Sequence, residues 1–221
     1  MSRSHLILGT FVTAGALVFG TAPAVAAPVE ATTTSSVGAP AASSVVPRAL
    51  AEAAPDQAEV THKPWRQKRP SWCSPTSVQL SLRTFGVKVT QDTLAEQMNT
   101  DSVGTDAADL NRVYNGYLDD LGYEMNRVDG RDPEVLMDAV AHDVGVLGKA
   151  VPMGIRGSQA SWIDTDSNFG HVVSVRGYDR GAGTITIWDP SADGYGGHHV
   201  VSVADLAKAS QQNGLAFVTK P

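Results

Sequence analysis

The chain contains one cysteine, Cys73, in Pro70-Ser71-Trp72-Cys73-Ser74-Pro75. The residues around and after it predict a helix over Ser71–Phe85. Pro75 suits a first turn, Val78, Leu82 and Phe85 share a face, and Gly86 closes the element. A thiol at a helix start meets the positive end of the helix dipole and unpaired backbone N–H groups, which favours the thiolate. A thiolate nucleophile needs a base. His171 suits that task, because it opens the apolar run Gly170–Tyr178 and a strand would hold its ring in place. The glycine before it should leave room for a substrate. The base needs an acceptor for its second N–H, and Asp189 closes the following run, in Ile187-Trp188-Asp189-Pro190. Antiparallel pairing of residues 171–178 with 184–188 brings the start of one strand beside the end of the other. Hairpin geometry therefore predicts His171 and Asp189 as neighbours.

Taken singly, each residue has a plainer explanation: a buried inert thiol, a structural histidine, an Asp-Pro turn. Their conjunction is what favours acyl-transfer chemistry. The remaining histidines are weaker candidates. His5 sits in the N-terminal segment, His62 in a basic lead-in, and His142 on a helix beside Asp143. His198 and His199 adjoin a glycine-rich turn and alone make a poor metal site. Aspartates 101, 106, 119, 120, 164 and 166 have no calcium-loop spacing. No zinc signature, P-loop or dinucleotide-binding glycine pattern occurs, so no metal or organic cofactor is expected.

Helical patterns dominate the part of the chain around and after Cys73. Thr90 can cap a helix carrying Leu94 and Met98, a third helix runs from about Asp106 to Leu121, and Asp132-Pro133 opens a fourth. Short β-branched runs follow at Gly148–Ile155, Gly170–Tyr178, Thr184–Trp188, His199–Val203 and Leu215–Thr219, with a late helix near Asp205–Ser210. A helical half followed by a strand half indicates an α+β domain.

The chain has 221 residues and a formal net charge of −6, without the basic footprint of a nucleic-acid binder. Arg3, an apolar run from Leu6 to Phe19, and Ala24-Val25-Ala26 read as a signal peptide over residues 1–26, cleaved before Ala27. The expected product is exported, without a membrane anchor, and monomeric. Residues 27–60 are rich in Ala, Ser, Thr, Pro and Val and lack aromatics, which reads as a disordered propeptide or spacer. The folded domain is then expected over 61–221, with the charges of His62–Arg69 solvated.

Gln67-Lys68-Arg69-Pro70-Ser71-Trp72-Cys73-Ser74-Pro75-Thr76-Ser77 resembles the active-site signature of papain-fold cysteine peptidases related to the bacteriocin-processing (double-glycine) peptidases. Gly170-His171-Val172-Val173 and Trp188-Asp189-Pro190 are similar to that family's histidine and aspartate motifs, in the same chain order. The resemblance covers about Trp65 to the C-terminus. It implies a papain-like fold with the nucleophile at a helix start and a C-terminal antiparallel sheet. It also implies one further role, Gln67 as a side-chain donor of the oxyanion hole beside the Cys73 N–H. Ser74 departs from the family pattern, where glycine is common. The expected activity is hydrolysis of peptide bonds through an acyl-enzyme, with a peptide or protein as partner. A cell-wall amidase or endopeptidase, an acyl transferase, and a catalytically silent binding module are the rivals.

Overall fold

In the computed structural model, residue 51 and residues 53–220 are described. The proposed signal peptide and most of the proposed spacer lie outside the described residues. Among those described, four helices precede most of the sheet: α1 (Cys73–Thr84), α2 (Gln91–Gln97), α3 (Ala107–Asp119) and α4 (Pro133–Val140). A fifth, α5 (Val203–Ala209), follows later. The strands are β1 (Gln57–Glu59), β2 (Glu124–Val128), β3 (Val151–Arg156), β4 (Gly170–Asp179), β5 (Thr184–Asp189), β6 (Gly197–Ser202) and β7 (Ser210–Thr219). They form one antiparallel sheet in the order β2-β7-β3-β4-β5-β6, with β1 also paired to β4. This is the expected α+β architecture.

Helix starts obey local chemistry. Thr90 accepts from the Thr93 N–H, Asp132 accepts from the N–H groups of Glu134 and Val135 ahead of Pro133, and Ser202 accepts from the Asp205 N–H. Helix α1 differs. It is buried almost all round from Ser74 to Leu82, although, besides Ser74 at the cleft, four of its buried residues are serine, threonine or glutamine, at positions 76, 77, 79 and 81. Each of those side chains has a partner. Thr76 donates to the Trp72 carbonyl, Gln79 to the Val89 carbonyl and Ser77 to the Val172 carbonyl of β4. Ser81 donates to the Ala150 carbonyl while pairing with the fully buried Tyr114 of α3 at 2.6 Å. A polar group taken out of water is tolerated when it is bonded in this way. These bonds tie α1 to β4, α3 and the start of β3, and the core closes around Val78, Leu82, Leu94, Met98, Leu110 and Leu136.

The expected domain start at residue 61 is too late. Gln57–Glu59 pairs with Asp179, Tyr178 and Gly177, Val60 N–H donates to the Arg176 carbonyl, and the Tyr178 hydroxyl donates to the Pro55 carbonyl. A three-residue strand without an aromatic residue carries little signal, and its hydrogen bonds come from a partner over a hundred residues away. The cations of the basic lead-in, Lys63, Arg66, Lys68 and Arg69, are exposed as expected. His62 is buried, and the guanidinium groups of Arg66 and Arg69 lie over the rings of Trp188 and Trp72 at 5.2 and 5.1 Å. Strand β2 was absent from the sequence expectation, as was the π-helical turn Ala141–Val146. In the former, only Met125 and Val128 are buried, too sparse an alternation to read.

The β4–β5 ladder contains the feature on which the site depends. Near the turn, Tyr178 faces Ile185 and Gly177 faces Thr186, but beyond it Val175 faces Ile187 and Ser174 faces Trp188. Arg176 is therefore an extra residue, a β-bulge. In an unbroken ladder Asp189 would stand opposite Ser174, and His171, three residues on, would point to the other face of the sheet. Continuing the shifted register puts Asp189 opposite Val173, two residues from His171 and on the same face. Next to the bulge, a Cβ on Gly177 would stand 2.9 Å from Thr186 Cβ and 3.1 Å from Glu59 Cγ. Gly177→Ala is accordingly expected to lower unfolding free energy by about 1–3 kcal/mol in urea denaturation. Gly181→Ala, at the exposed turn, should stay within about 0.5 kcal/mol of the parent.

Candidate active site

Cys73 is the first residue of α1, and Trp72 before it offers no side-chain cap. Pro75 has no N–H, so the N–H groups of Cys73 and Ser74 are the free donors of the first turn. The bond from Ser77 to the Val172 carbonyl, one helical turn along, docks this end of α1 on β4 beside His171. His171 and Asp189 meet as the sequence predicted: Nε2 of the imidazole donates to Asp189 Oδ1 at 2.8 Å, with both side chains buried. Nδ1 is thus the ring nitrogen left for the thiol.

The electrostatics follow from this contact. Burial pushes the Cys73 thiol up, but the hydrogen bond and charge of His171 outweigh it, helped by the Val172 N–H and Ser74 hydroxyl, and the thiol is held below its ordinary value. Burial works against a charged imidazole too. The bond to Asp189 and the contact with Cys73 overcome it and carry His171 up to about 10. Burial would raise Asp189, yet His171 foremost, then Trp162 and Ser191, hold its carboxyl below the usual range. Trp162 Nε1–H donates to Asp189 Oδ2 at 3.0 Å and the Ser191 N–H to Oδ1 at 2.8 Å. A buried carboxylate with both oxygens bonded is what a fixed imidazolium requires. The rings of Phe169 and Tyr195 stand edge-on to the imidazole at 6.1 and 6.2 Å and screen it from water.

The sequence pattern gave no sign of Trp162 or Ser191. Trp162 lies in a loop, outside any periodic run; Ser191, two residues after Asp189 in a turn, is the more accessible inference. Gly170 is exposed and lines the cleft beside His171, and a Cβ there would meet the Gln211 amide at 3.0 Å. Ser74, which departs from the family pattern, is buried and its hydroxyl helps to lower the thiol.

Gln67 lines the same cleft as Cys73, with its backbone N–H donated to the Pro190 carbonyl. Its amide is already engaged. Nε2 donates to the carbonyls of Pro70 at 2.6 Å and Arg69 at 3.0 Å, while the buried Oε1 has no partner among the described residues. In this state Gln67 shapes the turn before Cys73. The other histidines stand apart from the thiol: His142 pairs with buried Asp143 at 3.2 Å, and His199 bonds the Tyr195 carbonyl and stacks on Trp162.

The cleft encloses about 700 Å³. One bank is the loop Ser102–Asp106, where Asp101 Oδ1 accepts from the N–H groups of Val103 and Gly104. The other is Gln211–Gly214, a bulge in β7: Met153 pairs with Leu215 but Ile155 pairs with Ser210. The expected strand began only at Leu215, because residues 211–214 leave the ladder.

The sequence profile of the Peptidase_C39 like family matches residues 57–213. The chain belongs to this family. It is a cysteine peptidase with the papain-like fold. None of the curated proteins matches it. Solved structures of similar fold include a protein described as a C39-like peptidase from Bacillus anthracis, at 16% identity and TM-score 0.53, over 75% of this chain and 98% of that one. The cysteine protease xylellain from Xylella fastidiosa matches at 14% identity and TM-score 0.53, over 78% and 89%. A double glycine motif protease from an AMS/PCAT transporter, in complex with the leader peptide, matches at 15% and TM-score 0.50, over 73% and 91%.

The lowered thiol and raised imidazole define a pH window. Cys73 is deprotonated above its lowered pKa and His171 stays protonated up to about 10. Iodoacetamide alkylation should therefore remain fast from mildly acidic to alkaline pH and fall only as pH drops through the lowered thiol pKa. In Asp189→Asn the imidazolium loses its partner, so the rate should move toward that of an ordinary thiol, with a midpoint near ~8.5. A wild-type profile with that ordinary midpoint would refute the ion pair.

Proposed function

We propose that this peptidase cleaves peptide bonds outside the cell by a Cys73–His171–Asp189 mechanism. One observation carries the reading: the thiol at the helix start shares a cleft with an imidazole that lowers its pKa and whose far nitrogen is bonded to a buried carboxylate. The Cys73 thiolate attacks the carbonyl carbon and the carbonyl π electrons move to oxygen. The free N–H groups of the first turn of α1 are available to that oxyanion. His171 passes its proton to the leaving amine, and the C–N bond breaks to leave a thioester. His171 then takes a proton from water, whose oxygen attacks the thioester and releases the acid and the thiolate, which restores the ion pair. Asp189 holds the ring in one orientation throughout and, being already ionised, stabilises the imidazolium.

Gln67 is assigned as the second oxyanion donor. Its Nε2 has to release the longer of its two backbone bonds, to the Arg69 carbonyl, as charge develops on the substrate oxygen. A peptide as occupant is supported by the fold neighbour that was solved with a leader peptide. Secretion is supported by Arg3, the apolar run and the Ala24-Val25-Ala26 site, which would leave Ala27 as the first residue.

The test uses protein recovered from the culture medium of the producing cell, sequenced at its N-terminus and assayed on a peptide library and peptidoglycan in parallel. Peptide cleavage should disappear in Cys73→Ala and His171→Ala, while Asp189→Ala should retain a measurable remainder. Gln67→Ala should lose roughly 10²–10³ in kcat with little change in KM, and its alkylation should persist because that reaction forms no oxyanion. Turnover of peptidoglycan alone, or full activity in folded His171→Ala, would overturn the mechanism. Retention of Met1 inside cells would overturn secretion.

A further inference from the structure

We propose that Arg127 forms a subsite in the cleft that receives a carboxylate of the peptide substrate. The inference rests on the peptidase reading of this cleft and adds the chemistry that selects its substrate.

Arg127 lies on β2, half-buried, and lines the same cleft as Cys73 and His171. Two elements hold its guanidinium. Nε–H and one N–H of Nη2 donate to Asn111 Oδ1 of α3, and Nη1 donates to the Gly214 carbonyl in the β7 bulge at 2.9 Å. An arginine has five N–H bonds, so two remain, one on each terminal nitrogen. One free N–H on each terminal nitrogen is what a two-point contact with a carboxylate needs.

The protein supplies no such partner. Arg112, Arg131, Arg176 and Arg180 each pair with an aspartate or glutamate, whereas no carboxylate among the described residues comes within 4.0 Å of Arg127. Burial pulls its pKa down to about 10, opposed only by the Tyr114 hydroxyl. A partly buried cation without a counter-ion is unfavourable, and a ligand carboxylate relieves it. The other charged groups lining the cleft are the Cys73–His171 pair, each the other's counter-ion, and Asp106, which is exposed and lies at the start of α3. Arg127 is thus the fixed cation available to a ligand there. Its support also positions it: Gly214 cannot carry a side chain, since a Cβ would stand 2.5 Å from the Gly154 carbonyl.

A peptide offers carboxylates from two sources, an Asp or Glu side chain and the free C-terminus. Peptide pairs separate them: Glu against Gln at each position around the cleaved bond, and C-terminal acid against amide. Each pair is measured twice, as kcat/KM with the wild-type protein and as equilibrium binding to Cys73→Ala. The wild type should prefer one carboxylate form by about 10- to 100-fold, chiefly through KM. Arg127→Gln should abolish that preference while still cleaving the neutral peptides. Arg127→Lys, which keeps the charge without the fork, should retain part of it.

A purely structural role for Arg127 would lower activity on all peptides alike. That result, equal handling of every pair by the wild type, or a preference that survives in Arg127→Gln would overturn the subsite. If Arg127→Gln does not fold, the wild-type pairs and Arg127→Lys decide, and an unchanged preference in Arg127→Lys overturns the bidentate contact. If no peptide is cleaved yet Cys73→Ala binds carboxylate peptides through Arg127, the peptidase reading fails and the subsite stands.

Discussion

The hydrogen bond between His171 Nε2 and Asp189 Oδ1 is the interaction on which the rest of the site depends. It forms because the two strands that carry these residues are neighbours and because one extra residue, Arg176, shifts their register. Side chains alternate along a strand, so a one-residue slip decides which face each occupies. Without the bulge the imidazole and the carboxylate would stand on opposite faces of the sheet. The largest of the effects that lower the Cys73 thiol passes through this pair. Asp189 keeps the ring charged and oriented, and the ring in turn stabilises the thiolate against the effect of burial.

The surrounding protein invests in the same contact. Trp162 bonds the oxygen that His171 leaves open, and the Ser191 N–H shares Oδ1 with the imidazole. Arg176 itself is buried and pairs with Glu59 of β1 at 2.9 Å, so the short first strand braces the bulge from the side opposite β5. Gly177 allows β1 and β5 to close on β4 there. Ser77 completes the connection by pinning α1 to the Val172 carbonyl, which brings Cys73 to His171. Helical and sheet halves meet at that bond.

Much of this was legible in the residues. The helices at Cys73, Thr90, Asp106 and Asp132 announce themselves through caps, prolines and apolar spacing, and the hairpin that brings His171 toward Asp189 follows from two β-branched runs joined by a glycine-rich turn. What stayed hidden has a common cause. The Arg176 bulge, the β7 bulge at residues 211–214 and the pairing of β1 are set by contacts between distant segments, and none leaves a periodic trace. Strand β2 was missed for a related reason, its half-buried pattern being broken by Arg127, and the cleft residue it carries was missed with it. Gln67 shows the reverse case. Its nearness to the nucleophile was implied by a motif, but the direction of its amide depends on the two carbonyls of the turn that follows it.

The central claim is that Asp189 and Cys73 together hold His171 as an imidazolium across neutral pH. An NMR titration of the His171 ring nitrogens in the folded wild-type protein tests it most directly. The account predicts that both nitrogens remain protonated through neutral pH and that the ring titrates only toward about 10. A ring that titrates near the ~6.5 of an unperturbed histidine, with the thiol still protonated below it, would contradict the account.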